Sequence, residues 1–259
     1  MIRRRWALAA AVLALLSLFS VQAGAERAQR GNLQVSLDGG IAPRSLPRHT
    51  PAPVTVHLAG GVKTTDGSPI PRVNWIKLEL AWRGQLDTKG LPVCPQVRLR
   101  STDSSQAMDA CGGSLVGDGR LYAEVFVPNQ QPFGVRANLL AFNGQTKAGR
   151  AAVLVHAYTP DPPVSFIIPF TVHRNKGSFR TVLVTTIRRA VGPWPHVANF
   201  QIAVSRHFSH NGSRRSYLSA TCPVPKHFTE GFLSAARATY TFAGGKQLTT
   251  ETVRSCRAR

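Results

Sequence analysis

Four cysteines, two closely spaced histidines and a group of arginines around one turn are the residues of this chain with the clearest chemical potential. Cys94, Cys111, Cys222 and Cys256 form an even set with no C-x-x-C spacing. Such a set suits disulfides better than zinc, because a zinc site usually takes two ligands from one short turn. Of the three pairings, Cys94–Cys111 and Cys222–Cys256 are expected, since each closes a short loop within one half of the chain. His207 and His210 flank Asn211-Gly212 and would need a third ligand, His196 or His227, to hold a metal. They read instead as polar strand and turn positions, and no metal or cofactor is expected. Arg206, Arg214 and Arg215 surround the same turn, interleaved with Phe208 and Tyr217. Point charges beside aromatic rings suit a polyanion backbone, and these three arginines are the candidate polyanion contact.

Cys111-Gly112-Gly113-Ser114-Leu115 resembles a segment near the start of chymotrypsin-like serine proteases, which are also exported and β-rich. In that family the segment leads to a catalytic histidine, yet Val116 to Pro128 contains no His. The Gly-Asp-Ser-Gly-Gly nucleophile loop is missing too, as is any G-x-S-x-G elbow. Without nucleophile and base there is no acyl-transfer machinery. The 12 Asp and Glu residues show no paired motif. Carboxylate pairs are assembled in space rather than in sequence, so a dispersed hydrolase site remains the alternative function.

The formal charge is +20, from 32 Lys and Arg against those 12 acids. It is uneven: Pro160 onward carries 14 Lys and Arg against three acids, a balance of +11. Such a field favours anionic polymers, phospholipid surfaces or nucleic acid, and weakens with salt. No specific nucleic-acid motif accompanies it.

The elements that must position these residues begin after an export signal. Arg3-Arg4-Arg5 precedes an uncharged run, Trp6 to Val21, and the small residues Ala23-Gly24-Ala25 follow. This is the pattern of a cleavable signal peptide over residues 1–25. Beyond it no apolar stretch is long enough to span a bilayer as a helix. A disulfide-forming chain outside the cytoplasm is the consistent expectation.

The remainder is full of period-two alternation. Val54, Val56 and Leu58 share a face, as do Ile76, Leu78, Leu80 and Trp82. So do Leu121, Ala123, Val125 and Val127, then Phe200, Ile202 and Val204, then Ala236, Ala238, Tyr240 and Phe242. These are half-buried strands, punctuated by Asp66-Gly67, Asp118-Gly119, Asn143-Gly144, Asn211-Gly212 and Gly244-Gly245. Asn211-Gly212 is the strongest hairpin signal, because both residues accept positive φ. Short helices are expected over Ser104 to Ala110 and Thr229 to Ala235. Trp75, Trp82 and Trp194 read as core residues rather than sugar-stacking platforms. His57 and His156 sit on the polar parity and are expected to be exposed.

Thr159-Pro160-Asp161-Pro162-Pro163 looks like a linker or sharp crossover. It divides the chain into a β-sandwich-like domain, 26–159, and a second β-rich domain, 160–259. Cys94-Pro95 and Cys222-Pro223 each follow a strand pattern at nearly matching offsets. The expected fold is therefore all-β: two β-sandwich-like (immunoglobulin-like) halves, with a divergent tandem repeat suggested by those offsets.

The segments Gly90-Leu-Pro-Val-Cys94-Pro95, Cys111-Gly-Gly-Ser-Leu-Val-Gly117, Leu139-Leu-Ala-Phe-Asn-Gly144 and Leu218-Ser-Ala-Thr-Cys222-Pro-Val-Pro225 resemble those of uncharacterised exported proteins from high-GC soil bacteria. The resemblance implies secretion and a β-rich fold, and it carries no activity or site. The expected function is an exported, non-catalytic binding or structural protein of the cell surface or medium that contacts anionic polymers.

Overall fold

The computed structural model describes residues 26–81 and 84–259. The expected signal peptide, residues 1–25, and Trp82 lie outside the described residues. The strands up to the first helix are β1 (Glu26–Arg30), β2 (Leu33–Ala42), β3 (Ser45–Leu46), β4 (Ala52–Pro53), β5 (Thr55–Thr64), β6 (Val73–Ala81), β7 (Gly84–Leu86) and β8 (Cys94–Pro95). A 3-10 turn, Gln96–Leu99, leads to α1 (Ser104–Cys111). Then come β9 (Leu115–Val125), β10 (Phe133–Gln145), β11 (Ala151–Pro160), β12 (Pro163–Arg174), β13 (Phe179–Thr185) and α2 (Ile187–Val191). The chain ends with β14 (Pro195–Val204), β15 (His207–His210), β16 (Ser213–Ser216), β17 (Leu218–Ala220), β18 (Glu230–Phe242) and β19 (Gln247–Ala258). The class is all-β, as expected. No helix among the described residues is long and apolar enough to cross a membrane.

Most strands join one sheet in the order β1-β2-β5-β14-β9-β10-β11-β12-β13-β6-β18-β19-β3, with β8 added beside β10. This order interleaves early and late segments. β14 sits between β5 and β9, and β6 sits between β13 and β18. The Pro-rich segment is the tight turn between β11 and β12, where Pro160 faces Pro163 across a continuous antiparallel ladder. The expected division at residue 160 and the tandem repeat thus find no counterpart in the strand order.

The sheet curls until its ends meet. Thr250 Oγ1 of β19 donates to Glu26 O of β1 at 3.0 Å, and Val253 N donates to Glu26 Oε1 at 2.6 Å. Inside the curl, apolar residues of β2 (Leu33, Val35, Leu37), β10 (Leu139), β11 (Val155), β12 (Ile168) and β18 (Tyr240, Phe242) form one core. These are the alternating positions that a half-buried strand turns inward. Layers approach closely at Gly60 of β5: a Cβ there would lie 2.6 Å from the Phe200 ring and 3.1 Å from Tyr240 Oη.

A second, smaller core forms outside the sheet. Asp103 caps α1, accepting from Gln106 N at 2.8 Å while the Gln106 side chain accepts from Asp103 N at 3.0 Å. This capping box satisfies two amide N–H groups at the helix start. The helix and the 3-10 turn bury Leu99, Ala107 and Cys111 on Phe142, Ala152 and Leu154 of β10 and β11. Cys94 and Cys111 are bonded there, with Cα atoms 5.6 Å apart. Cys222 and Cys256 are bonded at the opposite end, 5.9 Å apart. Both pairs are the ones expected from loop length.

Five local expectations differ. Asp118-Gly119 and Asn143-Gly144, expected as turns, lie within β9 and β10. Thr229 to Ala235 is not a helix; from Glu230 it belongs to β18, where pairing with β19 overrides local propensity. Trp194 is 44% exposed rather than core. His156 is fully buried, because α1 and its preceding turn cover the outer face of β11 that parity assigned to solvent.

Candidate anion-binding groove

The arginine hairpin forms as expected. β15 and β16 pair around Asn211-Gly212, both at positive φ (50° and 73°), the geometry of a type I′ turn. The register pairs Ser209 with Arg214 and Phe208 with Arg215, so the two arginines point to opposite faces. Arg215 lies on the Phe208 side and is taken up by an ion pair with Asp87, at 2.5 Å. Arg214 is exposed, and Arg206 is half-buried just before β15. The hairpin therefore does not gather its three cations at one place. His207 and His210 also diverge, and the His210 ring rests on Gly90.

Cations do converge elsewhere. A groove of about 740 Å³ runs along the outer face of β12. One wall carries Arg100 and Ser101, just after the 3-10 turn. Another carries Lys147 and Arg150 from the turn joining β10 to β11. Arg189 of α2 and His173 of β12 complete the lining. Among the described residues no Asp or Glu lines it. None of these four Lys and Arg side chains has an ion-pair partner among the described residues, so their charge is uncompensated inside the groove.

Each wall is fixed from below. The β10–β11 turn closes by Gly149 N to Thr146 O at 2.9 Å and Thr146 N to Arg150 O at 2.9 Å, with Thr146 Oγ1 accepting from Arg150 N at 3.2 Å. Gly149 sits at φ 72°, which this turn needs and which glycine takes without strain. Arg100 and Ser101 are held through Thr102. His156 Nε2 donates to Thr102 O at 2.9 Å and lies 3.1 Å from Thr102 Oγ1, which donates onward to Leu99 O. Burial holds the His156 imidazole below its ordinary value of 6.5, against smaller opposing effects of that hydrogen bond and of Asp103. Burial thus favours the neutral ring, and its buried Nδ1 has no hydrogen-bond partner among the described residues. The groove also holds Ser165, Thr171, Thr185 and Thr186. Thr185 is 3% exposed and its Oγ1 is unpartnered.

Another depression lies on the outer face of β2, β5, β14 and β9, and carries Asp38, His57, Asp118, Arg120 and Gln201. Asp38 and Asp118 stand on β2 and β9, whose backbones lie three strand spacings, about 14 Å, apart along the sheet. Asp38 is paired with Arg254. Glycosidase carboxylates stand roughly 5–9.5 Å apart, so this pair is too wide for that chemistry.

Sequence reasoning missed the groove because three separate segments supply its cations. The only local hint was Lys147 and Arg150 around a glycine turn. No protein family, no curated protein and no solved structure matches this chain.

Proposed function

We propose that this chain is an exported, non-catalytic binding protein that holds an anionic polymer of the cell surface or surrounding medium in the β12 groove. The observation that carries the reading is the convergence of Arg100, Lys147, Arg150 and Arg189 with no carboxylate in the lining among the described residues. Unpaired cations in a concave site focus field lines and favour anions well above what the same charges do on a convex surface. Hydroxyls of Ser165, Thr171 and Thr186 supply donors between the cations.

The test is retention on a sulfated polysaccharide column across a salt gradient. Three proteins are compared: the parent, Arg150→Ser/Arg189→Ser, and the hairpin variant Arg206→Ser/Arg214→Ser/Arg215→Ser. The groove variant should elute at clearly lower salt, although it loses fewer charges than the hairpin variant. Each lost contact removes released counterions and flattens the salt dependence. Elution of the groove variant with the parent would overturn the reading.

A further inference from the structure

The end of the sheet closed by Cys222–Cys256 presents apolar side chains to solvent. Phe232 is 82% exposed, Phe228 is 61% exposed and Val253 is 44% exposed. The register places Phe232 opposite Ser255, and Val253 opposite Ser234, so Phe232 and Val253 share one outer face of the β18–β19 pair. Phe228 lies just before β18, where Ala258 N donates to Thr229 O at 2.7 Å.

This tip is rigid. Arg48 Nη1 donates to Val224 O at 2.8 Å and Pro225 O at 2.9 Å, and its Nη2 donates to Phe228 O at 2.9 Å. Phe228 N closes a turn onto Pro225 O at 2.9 Å, and Cys222 N is held by Pro47 O at 2.9 Å. A guanidinium with three carbonyl partners and a disulfide thus fix a loop whose side chains Lys226, His227 and Phe228 point into water. Fixing exposed aromatics lowers the ordering cost of inserting them elsewhere.

The surrounding charge selects the partner. Lys226, Arg257 and Arg259 are exposed and form no ion pair among the described residues; the single acid of the tip, Glu230, faces Arg257 across the β18–β19 ladder, which leaves the tip net positive. Cations alone would suit a soluble polyanion, to which phenylalanine adds little. Phenylalanines flanked by cations suit a surface with anionic headgroups over an apolar interior. We infer that this tip is a membrane-interface anchor, with Phe228 and Phe232 entering the headgroup–acyl boundary of an anionic phospholipid bilayer. Lys226 and Arg257 then rest on the headgroups. The site is separate from the β12 groove and does not depend on what that groove holds.

The experiment is co-sedimentation of the secreted chain with vesicles of phosphatidylcholine alone and of phosphatidylcholine mixed with phosphatidylglycerol. The parent should bind the mixed vesicles and leave the neutral ones in the supernatant. Phe228→Ser/Phe232→Ser should weaken binding by about tenfold or more, from the lost apolar burial. Lys226→Ser/Arg257→Ser should weaken it by about fivefold for each cation removed. Arg150→Ser/Arg189→Ser, aimed at the groove, should still sediment. A Phe232→Trp variant should gain fluorescence that brominated acyl chains quench. Parent-like urea midpoints and intact disulfides show that each tip variant is folded. The anchor is overturned if the parent sediments with neither vesicle, if the double Phe variant sediments like the parent, or if the groove variant alone abolishes binding.

Discussion

Arg254 of β19 donates to the Asp38 carboxylate of β2, joining residues at opposite ends of the strand order. The same guanidinium donates through Nε to Gly39 O, and its Nη1 lies 3.4 Å from Glu26 Oε1. Its side chain is only 16% exposed, so these contacts are partly shielded from water. No continuous backbone ladder crosses this seam; side chains close it.

Replacing Arg254 by Ala should destabilise the protein by about 2–3 kcal/mol, the range for losing charge-assisted hydrogen bonds around a half-buried carboxylate. Arg254→Lys should recover part of the loss, since one ammonium cannot serve all three partners at once. Urea denaturation monitored by tryptophan fluorescence measures both. Parent-like midpoints for Arg254→Ala would show that the seam does not depend on this residue.

Acid should weaken the fold in two separable steps. His156 is depressed by burial, so the native state binds fewer protons than the unfolded chain below 6.5. Stability therefore stays level above that value and falls as pH drops from 6.5 through the folded value. Asp66 is held down to about 2 by hydrogen bonds from the Ser68 hydroxyl, Ser68 N and Asn32. Its contribution is present above 3.8 and is lost as pH falls through about 2. Thermal midpoints of the parent, His156→Gln and Asp66→Asn across pH resolve the steps. The His156 variant should flatten the upper one, and an unchanged slope there would refute the assignment.

Opening the two disulfides should have unequal effects. Their sequence separations of 17 and 34 residues correspond to about 3 and about 4 kcal/mol in the chain-entropy estimate. Cys94→Ser/Cys111→Ser should raise amide exchange in α1, whereas Cys222→Ser/Cys256→Ser should raise it in the 222–229 loop. Exchange spread evenly over the sheet in both would contradict this local tethering.

Gly119 should tolerate no side chain. A Cβ there would lie 2.1 Å from Gln201 O and 2.8 Å from Ile202 Cα, both backbone atoms of β14 that cannot turn aside. Gly119→Ala should cost about 3 kcal/mol or prevent recovery of folded protein. Gly67→Ala, at a turn with open space but φ 74°, should cost only about 1 kcal/mol. Equal midpoints for the two variants would show that β9 can move away from β14.

If residues 1–25 are removed on export, secreted material should begin at Glu26, by N-terminal sequencing. That residue already has a place in the fold, since its carboxylate accepts from Val253 N and its carbonyl from Thr250 Oγ1. Material retaining Met1 would refute the cleavage.

Much of the strand content was legible because half-buried strands repeat every second residue. The alternations at Ile76–Leu80, Leu121–Val125 and Ala236–Phe242 each fall within an observed strand. The Asn211-Gly212 hairpin was legible for a local reason, its φ requirement. Strand order was not, because nothing in Phe200-Gln201-Ile202 states that β5 and β9 lie on either side. His156 shows the limit at a single residue: parity gives the face, and only tertiary structure says whether a helix covers it. The hairpin arginines show the reverse error. Arg214 and Arg215 are neighbours in sequence, and for that reason a strand sends them apart.

The interleaved strand order also governs when the fold can be completed. β5 lacks its neighbour until β14 arrives, β13 and β18 meet only through β6, and the seam at Glu26 waits for β19. No N-terminal portion of the chain can close the sheet on itself, so an incomplete chain keeps open strand edges. Such long-range pairing slows folding and leaves intermediates prone to aggregate. If the chain is exported unfolded through a channel, the same delay keeps its sheet from closing before the last strand has emerged.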